Sequence, residues 1–243
     1  MRERAADPLA AFRRTNVEGT LRLARSAAEA GTERFVFLSS VKVLGEATPD
    51  RPFTDSSPPD PRDPYGVSKW EAEKALSEIA GRFKMGVVIL RPPLVYEPGV
   101  KGNFRSLMRL VDRGVPSPLG SIANRRSLLC LGNLVDAIER CLAHRAAAGR
   151  TYLIHDGEDL STADLLRRLA AALGRKAPPF SVPEAVLKLA AGCLGRKAEA
   201  GRLLGSLMVD DRPLRVELGW KPPFTVEQGL AETAKWYRER ADN

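Results

Sequence analysis

Two residues with complementary acid–base chemistry lie four positions apart in the stretch DPYGVSKWEAEKAL, residues 63 to 76. If this stretch is helical, Tyr65 and Lys69 share one face, because residues i and i+4 stack one above the other. Asp63 can accept the free amides of a first turn and Pro64 suits the first helical position, so a helix is predicted to begin here. A lysine ammonium beside a tyrosine stabilises the phenolate, which predicts a Tyr65 pKa below its ordinary value of about 10.

Two hydroxyl groups, Ser39 and Ser40, end the apolar run RFVFLSS that precedes this helix. Ligands of parallel α/β sheets bind beyond the carboxyl ends of the strands, so Ser40, Tyr65 and Lys69 are expected to meet at one rim. Tyr65 would then transfer a proton, Lys69 would lower the tyrosine pKa, and Ser40 would orient the reacting oxygen. The alternative is a surface helix with a solvated lysine and a polar strand end capped by water.

The elements that must position these residues alternate between helix and strand. Apolar residues recur at steps of three and four between Leu9 and Ala24, which predicts a helix that Gly31 ends. RFVFLSS (34–40) and MGVVILR (85–91) are predicted strands buried on both faces, whereas PPLVYEPG and the Pro- and Asp-rich TPDRPFTDSSPPDPRDP are predicted loops. This alternation is typical of a parallel α/β sheet.

The second half of the chain carries mainly helical patterns. The predicted strands are RRSLLCL (125–131) and TYLIHD (151–156). Helices are predicted over NFRSLMRLVDRG, NLVDAIERCLAHR, STADLLRRLAAALG, VPEAVLKLAAGCLG and TVEQGLAETAKWYRER. A boundary near residue 100 is expected to separate the sheet from a lobe that folds over it.

Composition excludes several classes of protein. The 243 residues are 44% hydrophobic and 28% charged, with a net charge of +8 and a pI of about 9.7. No run of five like charges occurs and aromatic residues are not clustered, so the basic surface indicates solvation or an anionic substrate and no nucleic acid. Three scattered cysteines and two histidines lack metal-ligand spacing, and no metal is expected. Without a signal peptide or a membrane-length apolar stretch, the protein is predicted to be cytoplasmic, with no membrane partner.

Several motifs, taken in order, resemble one known family. NVEGTLRLARSAAEAGTERFVFLSSVKVLGE, PYGVSK and LRPPLVYEPG together resemble the extended short-chain dehydrogenase/reductase family, above all its nucleotide-sugar 4-epimerases, dehydratases and 4-keto reductases. The resemblance implies bound NAD or NADP and a nucleoside-diphosphate sugar as substrate. It also implies an α/β fold in which residues 1–100 are the later part of a Rossmann-type parallel sheet. Residues 101–243 would be mainly a smaller α/β substrate lobe, with residues 125–156 returning to the sheet.

The resemblance also assigns roles to individual positions. The implied catalytic residues are Ser40, Tyr65 and Lys69. The implied cofactor contacts are Asn16, Ser39, Tyr65, Lys69, Pro92 and Pro93. The implied substrate contacts are Ser40, Lys42, Asn103, Phe104 and Arg126. The guanidinium of Arg126 suits a nucleotide diphosphate because its planar fork can meet phosphate oxygens in pairs, and the alternative is an exposed arginine at a strand start.

Two departures from the family pattern bear on the expected activity. Glu97 stands where the family usually has glycine, and no G-x-x-G-x-x-G follows a strand; AGCLGRKAEAG (191–201) follows a helix with the wrong spacing. The sequence therefore predicts an N-terminally truncated product or a mis-called start, an exposed sheet edge, and weak binding of NAD or NADP. Either 4-epimerisation or 4-keto reduction remains open, and the alternative is a non-catalytic nucleotide-sugar-binding remnant. The family often dimerises through the helices that carry Asn16 and Tyr65, which makes a homodimer a candidate assembly.

Overall fold

A long helical segment opens the protein, whose structure is a computed structural model that describes residues 6–176, 178–195 and 197–241. The segment consists of α1 (Pro8–Arg13), a π-helical turn (Arg14–Gly19) and α2 (Thr20–Glu29). Asp7 caps its start, because the side chain accepts a hydrogen bond from Ala10 N at 3.0 Å. The predicted helix is confirmed, but the apolar spacing of this segment did not predict the π-helical turn within it.

The first sheet is parallel and holds β1 (Arg34–Leu38), β2 (Gly86–Arg91) and β5 (Thr151–Leu153) in the order β1-β2-β5. The predicted α/β class is confirmed. Strand β2 is buried along most of its length, as its apolar run predicts. Strand β1 corrects the expectation of burial on both faces, since it is mostly half-buried and Leu38 is 38% exposed. Among the described strands β1 pairs with β2 alone, which leaves its other edge without a strand.

A second sheet lies in the later part of the chain. It holds β3 (Leu94–Tyr96), β4 (Arg126–Cys130) and β6 (Asp159–Leu160) in the order β3-β4-β6. Strand β3 pairs in parallel with β4, so the prediction that PPLVYEPG is only a loop is wrong. The residues LVY are apolar and favour a strand, but three residues between prolines form too short a pattern to predict one.

Helix α3 (Pro64–Phe83) connects β1 to β2 and carries the Tyr65–Lys69 pair. Asp63 accepts a hydrogen bond from Gly66 N at 2.7 Å, and Pro64 occupies the first turn, as the sequence predicts. One face of α3 packs with the first sheet in an apolar core that also includes α2. The helix ends at Lys84, which adopts a left-handed conformation with φ +55°.

The other helices surround the second sheet and the far face of the first. They are α4 (Gly102–Asp112), α5 (Leu131–Ala143), α6 (Thr162–Leu173), α7 (Glu184–Cys193), α8 (Lys197–Leu204), α9 (Arg212–Leu218) and α10 (Val226–Ala241). The largest core cluster packs α4, α6 and α10 around the second sheet. Of the helices in the described ranges, none combines the length and apolar character needed to span a bilayer.

Candidate active site

The carboxyl end of β1 and the first turn of α3 meet at one rim of the first sheet. Ser40 follows β1 and opens a short 3-10 turn (Val41–Val43), where its Oγ accepts a hydrogen bond from Lys42 N at 3.3 Å. Tyr65 lies in the first turn of α3, and its ring makes an edge contact with Phe12 at 5.5 Å. A side-chain hydrogen bond joins the Ser40 and Tyr65 hydroxyl groups, so these two predicted residues meet.

The acidity of Tyr65 differs from the sequence-based expectation. Burial raises the pKa of its phenol above the ordinary value, contact with the Ser40 hydroxyl lowers it in part, and the nearby Asp63 charge raises it further. The expectation of a Tyr65 pKa lowered by Lys69 is thus wrong for this structure, in which burial dominates and the Ser40 hydroxyl is the neighbour that lowers the pKa.

Lys69 points its ammonium toward the end of β1. Its Nζ donates to the Leu38 carbonyl at 2.7 Å and lies 4.6 Å from the Phe37 ring centroid, but 5.9 Å from that of Tyr65. Burial lowers the Lys69 pKa, and the charge of Glu73 raises it. An ammonium has three donors, and within the described residues only one hydrogen-bond acceptor is present. The remaining donors could bind the hydroxyl groups of a ligand.

A cavity of about 310 Å³ opens beside the two hydroxyl groups. Seven of the residues predicted to form the site line it: Ser40, Lys42, Tyr65, Pro93, Asn103, Phe104 and Arg126. Apolar side chains from α4, α6 and α8 form much of the remaining wall, among them Leu107, Leu165 and Leu203. The volume lies within the range of small-molecule sites, which are largely apolar with a few convergent polar groups.

Positive charge is concentrated in this cavity. Its lining includes Lys42, Arg126 and Arg202 as cations and Glu46 as an anion. Lys42 forms ion pairs with Asp63 and, at 3.4 Å, with Glu46. An excess of cations in a partly apolar cavity favours an anionic ligand.

Arg126 holds one wall of the cavity together. Its Nη1 donates to the carbonyl oxygens of Arg202 at 2.6 Å and Gly205 at 3.0 Å, which anchors the end of α8. The other nitrogens of the guanidinium have no hydrogen-bond partner among the described residues, so they remain available to a ligand. Burial lowers the Arg126 pKa, although an arginine remains charged at neutral pH.

Three other predicted contacts, Ser39, Pro92 and Asn16, are not among the lining residues of the cavity. Ser39 is buried, and its hydroxyl donates to Glu73 of α3. Pro92 is buried, and its carbonyl accepts from Val41 N at 3.0 Å. Asn16 lies in the π-turn and donates from Nδ2 to Ser68 Oγ at 2.9 Å. Their cofactor contacts stay predictions.

Arg202 and Glu46 are cavity residues that sequence reasoning missed. Arg202 lies in α8, which no apolar periodicity had marked, and its Nη2 lies 3.9 Å from a carboxylate oxygen of Glu46. Asn124 helps to position this helix by donating to the carbonyl oxygens of Leu203 at 3.1 Å and Gly205 at 2.9 Å. The three-dimensional packing of α8 brings Arg202 to the cavity, and the local sequence carries no signal for it.

The fold and this site define an α/β protein with a Rossmann-type parallel sheet and a Ser–Tyr–Lys group at one strand end. Residues 2–154 match the NAD dependent epimerase/dehydratase family. A UDP-glucose 4-epimerase of Vibrio cholerae is 46% identical over 97% of this chain and 72% of that relative. The chain therefore belongs to the NAD dependent epimerase/dehydratase family and is an enzyme by family.

Two more distant relatives agree with this assignment. A dTDP-D-glucose 4,6-dehydratase of Mus musculus is 29% identical over 96% of this chain and 63% of that relative. The solved structure of the dTDP-glucose 4,6-dehydratase DesIV from Streptomyces venezuelae, which contains NAD, superposes with a TM-score of 0.74 at 26% identity. The superposition covers 96% of this chain and 69% of that chain.

Proposed function

We propose that this chain is an NAD-dependent 4-epimerase acting on a UDP-linked hexose. The observation that carries the proposal is a cavity whose lining contains Ser40 and Tyr65 together with Arg126 and Arg202. The hydroxyl pair suits a reacting sugar hydroxyl, and the guanidinium groups suit a diphosphate. The similarity to a UDP-glucose 4-epimerase supports UDP over other nucleotides.

Tyr65 is the proton carrier in this proposal. As the phenolate, its Oη accepts the proton of the sugar O4 hydroxyl when that carbon is oxidised, and as the phenol it returns the proton when the carbon is reduced. Ser40 donates a hydrogen bond to the same sugar oxygen and orients it toward the phenol. Because burial raises the Tyr65 pKa, removal of its proton needs additional positive charge near the phenol.

The residues present fit a dinucleotide cofactor at this rim. The unused donors of Lys69 suit the hydroxyl groups of a ribose, and the buried Pro92–Pro93 segment at the end of β2 suits an apolar ring face. When bound, NAD supplies the hydride acceptor and donor of the reaction and a positively charged ring. Asn16 and Ser39 remain predicted cofactor contacts. In this structure their side chains bond to Ser68 and Glu73 of α3.

The diphosphate is assigned to the cationic side of the cavity. Arg126 offers the guanidinium nitrogens that the chain itself leaves without acceptors, and Arg202 lies beside it on α8. Lys42 contributes charge, but its pairing with Asp63 and Glu46 makes it a weaker candidate for a direct contact. Asn103 and Phe104 line the same cavity at the start of α4 and are assigned to the nucleotide.

Interconversion of UDP-glucose and UDP-galactose tests the proposal. The chain is incubated with either sugar and NAD, and the two sugars are separated by chromatography. Conversion in both directions without net change in NADH supports the epimerase, provided that Tyr65→Phe abolishes it. Consumption of NADH with a 4-keto sugar, without interconversion, would instead make the chain a 4-keto reductase.

A second candidate function is nucleotide-sugar binding without turnover. It is favoured by the position of the Lys69 ammonium, which donates to the Leu38 carbonyl and lies nearer to the Phe37 ring than to the Tyr65 ring. Calorimetric binding of UDP-glucose without any conversion in the presence of NAD would support this candidate. A homodimer that forms through the helices carrying Asn16 and Tyr65 stays a prediction. Light scattering tests it by measuring the molar mass in solution.

A further inference from the structure

We propose that Glu73 is a positioning residue of the active site, which ties the ends of β1 and β2 to α3 and places a buried carboxylate one helical turn from Lys69. The kinetic part of this inference rests on the proposed epimerase activity. The electrostatic part concerns the chain alone and can be measured without substrate or cofactor.

Glu73 lies one helical turn after Lys69 and is 2% exposed. Its Oε1 accepts hydrogen bonds from the Ser39 hydroxyl and from Arg91 Nε at 3.0 Å, and its Oε2 accepts from Arg91 Nη2 at 2.6 Å. Ser39 and Arg91 are also buried, with exposures of 3% and 5%. Buried carboxylates with two-pronged arginine contacts have a strongly restricted geometry.

Each of these three residues adjoins a residue of the site. Ser39 precedes Ser40 at the end of β1, Arg91 precedes Pro92 at the end of β2, and Glu73 follows Lys69 on α3. The carboxylate of Glu73 therefore connects three elements whose relative positions set the distance between the Ser40 and Tyr65 hydroxyl groups. A displacement of about 1 Å in such a group can reduce the rate about 10²-fold.

The charge of Glu73 also acts on Lys69. The neighbours of Lys69 are Glu73 and Tyr65 on α3, the Leu38 carbonyl and Phe37 ring on β1, and Arg91 on β2 through its contact with Glu73. Of these, Glu73 is the acid that favours the charged ammonium, against the burial that disfavours it. A neutral residue at position 73 is expected to leave Lys69 uncharged over a wider range of pH.

The test compares Glu73→Gln, Glu73→Asp and Glu78→Gln with the unchanged chain. Glu78 is an exposed acid on the same helix, so Glu78→Gln removes the same charge without touching the buried contacts. The ammonium of Lys69 is titrated by ¹⁵N NMR in the absence of ligands, with Lys69→Gln to assign its signal. We expect the titration midpoint to move to lower pH in Glu73→Gln and to stay in place in Glu78→Gln.

Glu73→Asp keeps the negative charge but shortens the side chain by one methylene group. We expect a near-normal Lys69 midpoint in this variant, with kcat reduced on the order of 10²-fold and KM within about threefold. Glu73→Asp also carries the test if Glu73→Gln fails to fold, because its buried charge pair is retained. An unshifted Lys69 midpoint in folded Glu73→Gln, or full kcat in Glu73→Asp, would overturn the inference. If the unchanged chain has no epimerase activity, the proposed function fails and the Lys69 titration still decides the role of Glu73.

Discussion

Two glycines of helix α3 are expected to respond in opposite directions to the same substitution. A Cβ added at Gly66 would lie 2.6 Å from the Lys42 carbonyl oxygen, 3.2 Å from its carbonyl carbon and 3.3 Å from Asp63 Oδ1. A Cβ added at Gly81 would meet nothing within 4 Å. Gly66→Ala should therefore destabilise the protein, whereas Gly81→Ala should stabilise it.

The magnitudes follow from two separate effects. Replacement of glycine by alanine within a helix stabilises by up to about 0.5–1 kcal/mol, and no contact opposes this gain at Gly81. Overpacking against a fixed backbone costs about 1–3 kcal/mol, and at Gly66 the obstacle is the backbone of Lys42. Because the helix-propensity gain is similar at the two sites, the two variants should differ in unfolding free energy by about 1–3 kcal/mol.

Urea unfolding followed by circular dichroism measures both variants without substrate or cofactor. The linear dependence of free energy on urea gives the difference, and equal slopes show that the unfolded states are comparable. If Gly66→Ala is as stable as Gly81→Ala, the close approach of α3 to the Lys42 segment is refuted. Since Lys42 lines the cavity next to Ser40, Gly66→Ala should also weaken UDP binding, whereas Gly81→Ala should leave it unchanged.

Three further outcomes are expected. Arg126→Ala should weaken UDP-glucose binding about ten- to a hundredfold in calorimetry, because a charge-assisted hydrogen bond contributes about 1.5–3 kcal/mol. The control Arg125→Ala should bind UDP-glucose normally, because the Arg125 side chain pairs with Asp159 outside the cavity lining. Equal affinities of the two variants would remove Arg126 from the diphosphate site. Tyr65→Phe should lower kcat about 10²–10⁴-fold with an unchanged unfolding curve, and retained turnover would exclude it as proton carrier. Burial raises the Asp156 pKa, so the stability that its protonation contributes is full below the unfolded value of about 3.9 and is lost as pH rises through the folded value. The unfolding free energy of the unchanged chain relative to Asp156→Asn should therefore decline as pH rises above about 4, and a rising difference would contradict this sign.

Much of the site could be predicted from the sequence because its parts have strong local signals. Asp63 and Pro64 fix the start of α3, and that start fixes where Tyr65 lies relative to the end of β1. The apolar runs before Ser40 and Pro92 identify the strand ends at which a parallel sheet binds its ligands. The order of these segments along the chain was therefore enough to bring the two hydroxyl groups to one rim.

Other features depend on packing that no local pattern records. Strand β3 has only three residues and acquires its partner, β4, from a segment about thirty residues further on. Arg202 reaches the cavity because Asn124 and Arg126 hold the end of α8, contacts that span nearly eighty residues of chain. The π-turn that carries Asn16 changes the helical register within a segment whose apolar spacing predicts an ordinary helix.

The relation between Tyr65 and Lys69 shows where spacing alone stops being informative. Four-residue spacing places two side chains on one helix face, but it does not determine which acceptor a long lysine side chain reaches. Here the β1 carbonyl of Leu38 is that acceptor, and the ammonium lies nearer to Phe37 than to the Tyr65 ring. The Tyr65 phenol consequently has Ser40 as the neighbour that lowers its pKa, while burial dominates and raises it. Lys69 can assist proton transfer only as a charge held near the reacting groups, and in this chain the buried carboxylate of Glu73 favours that charge.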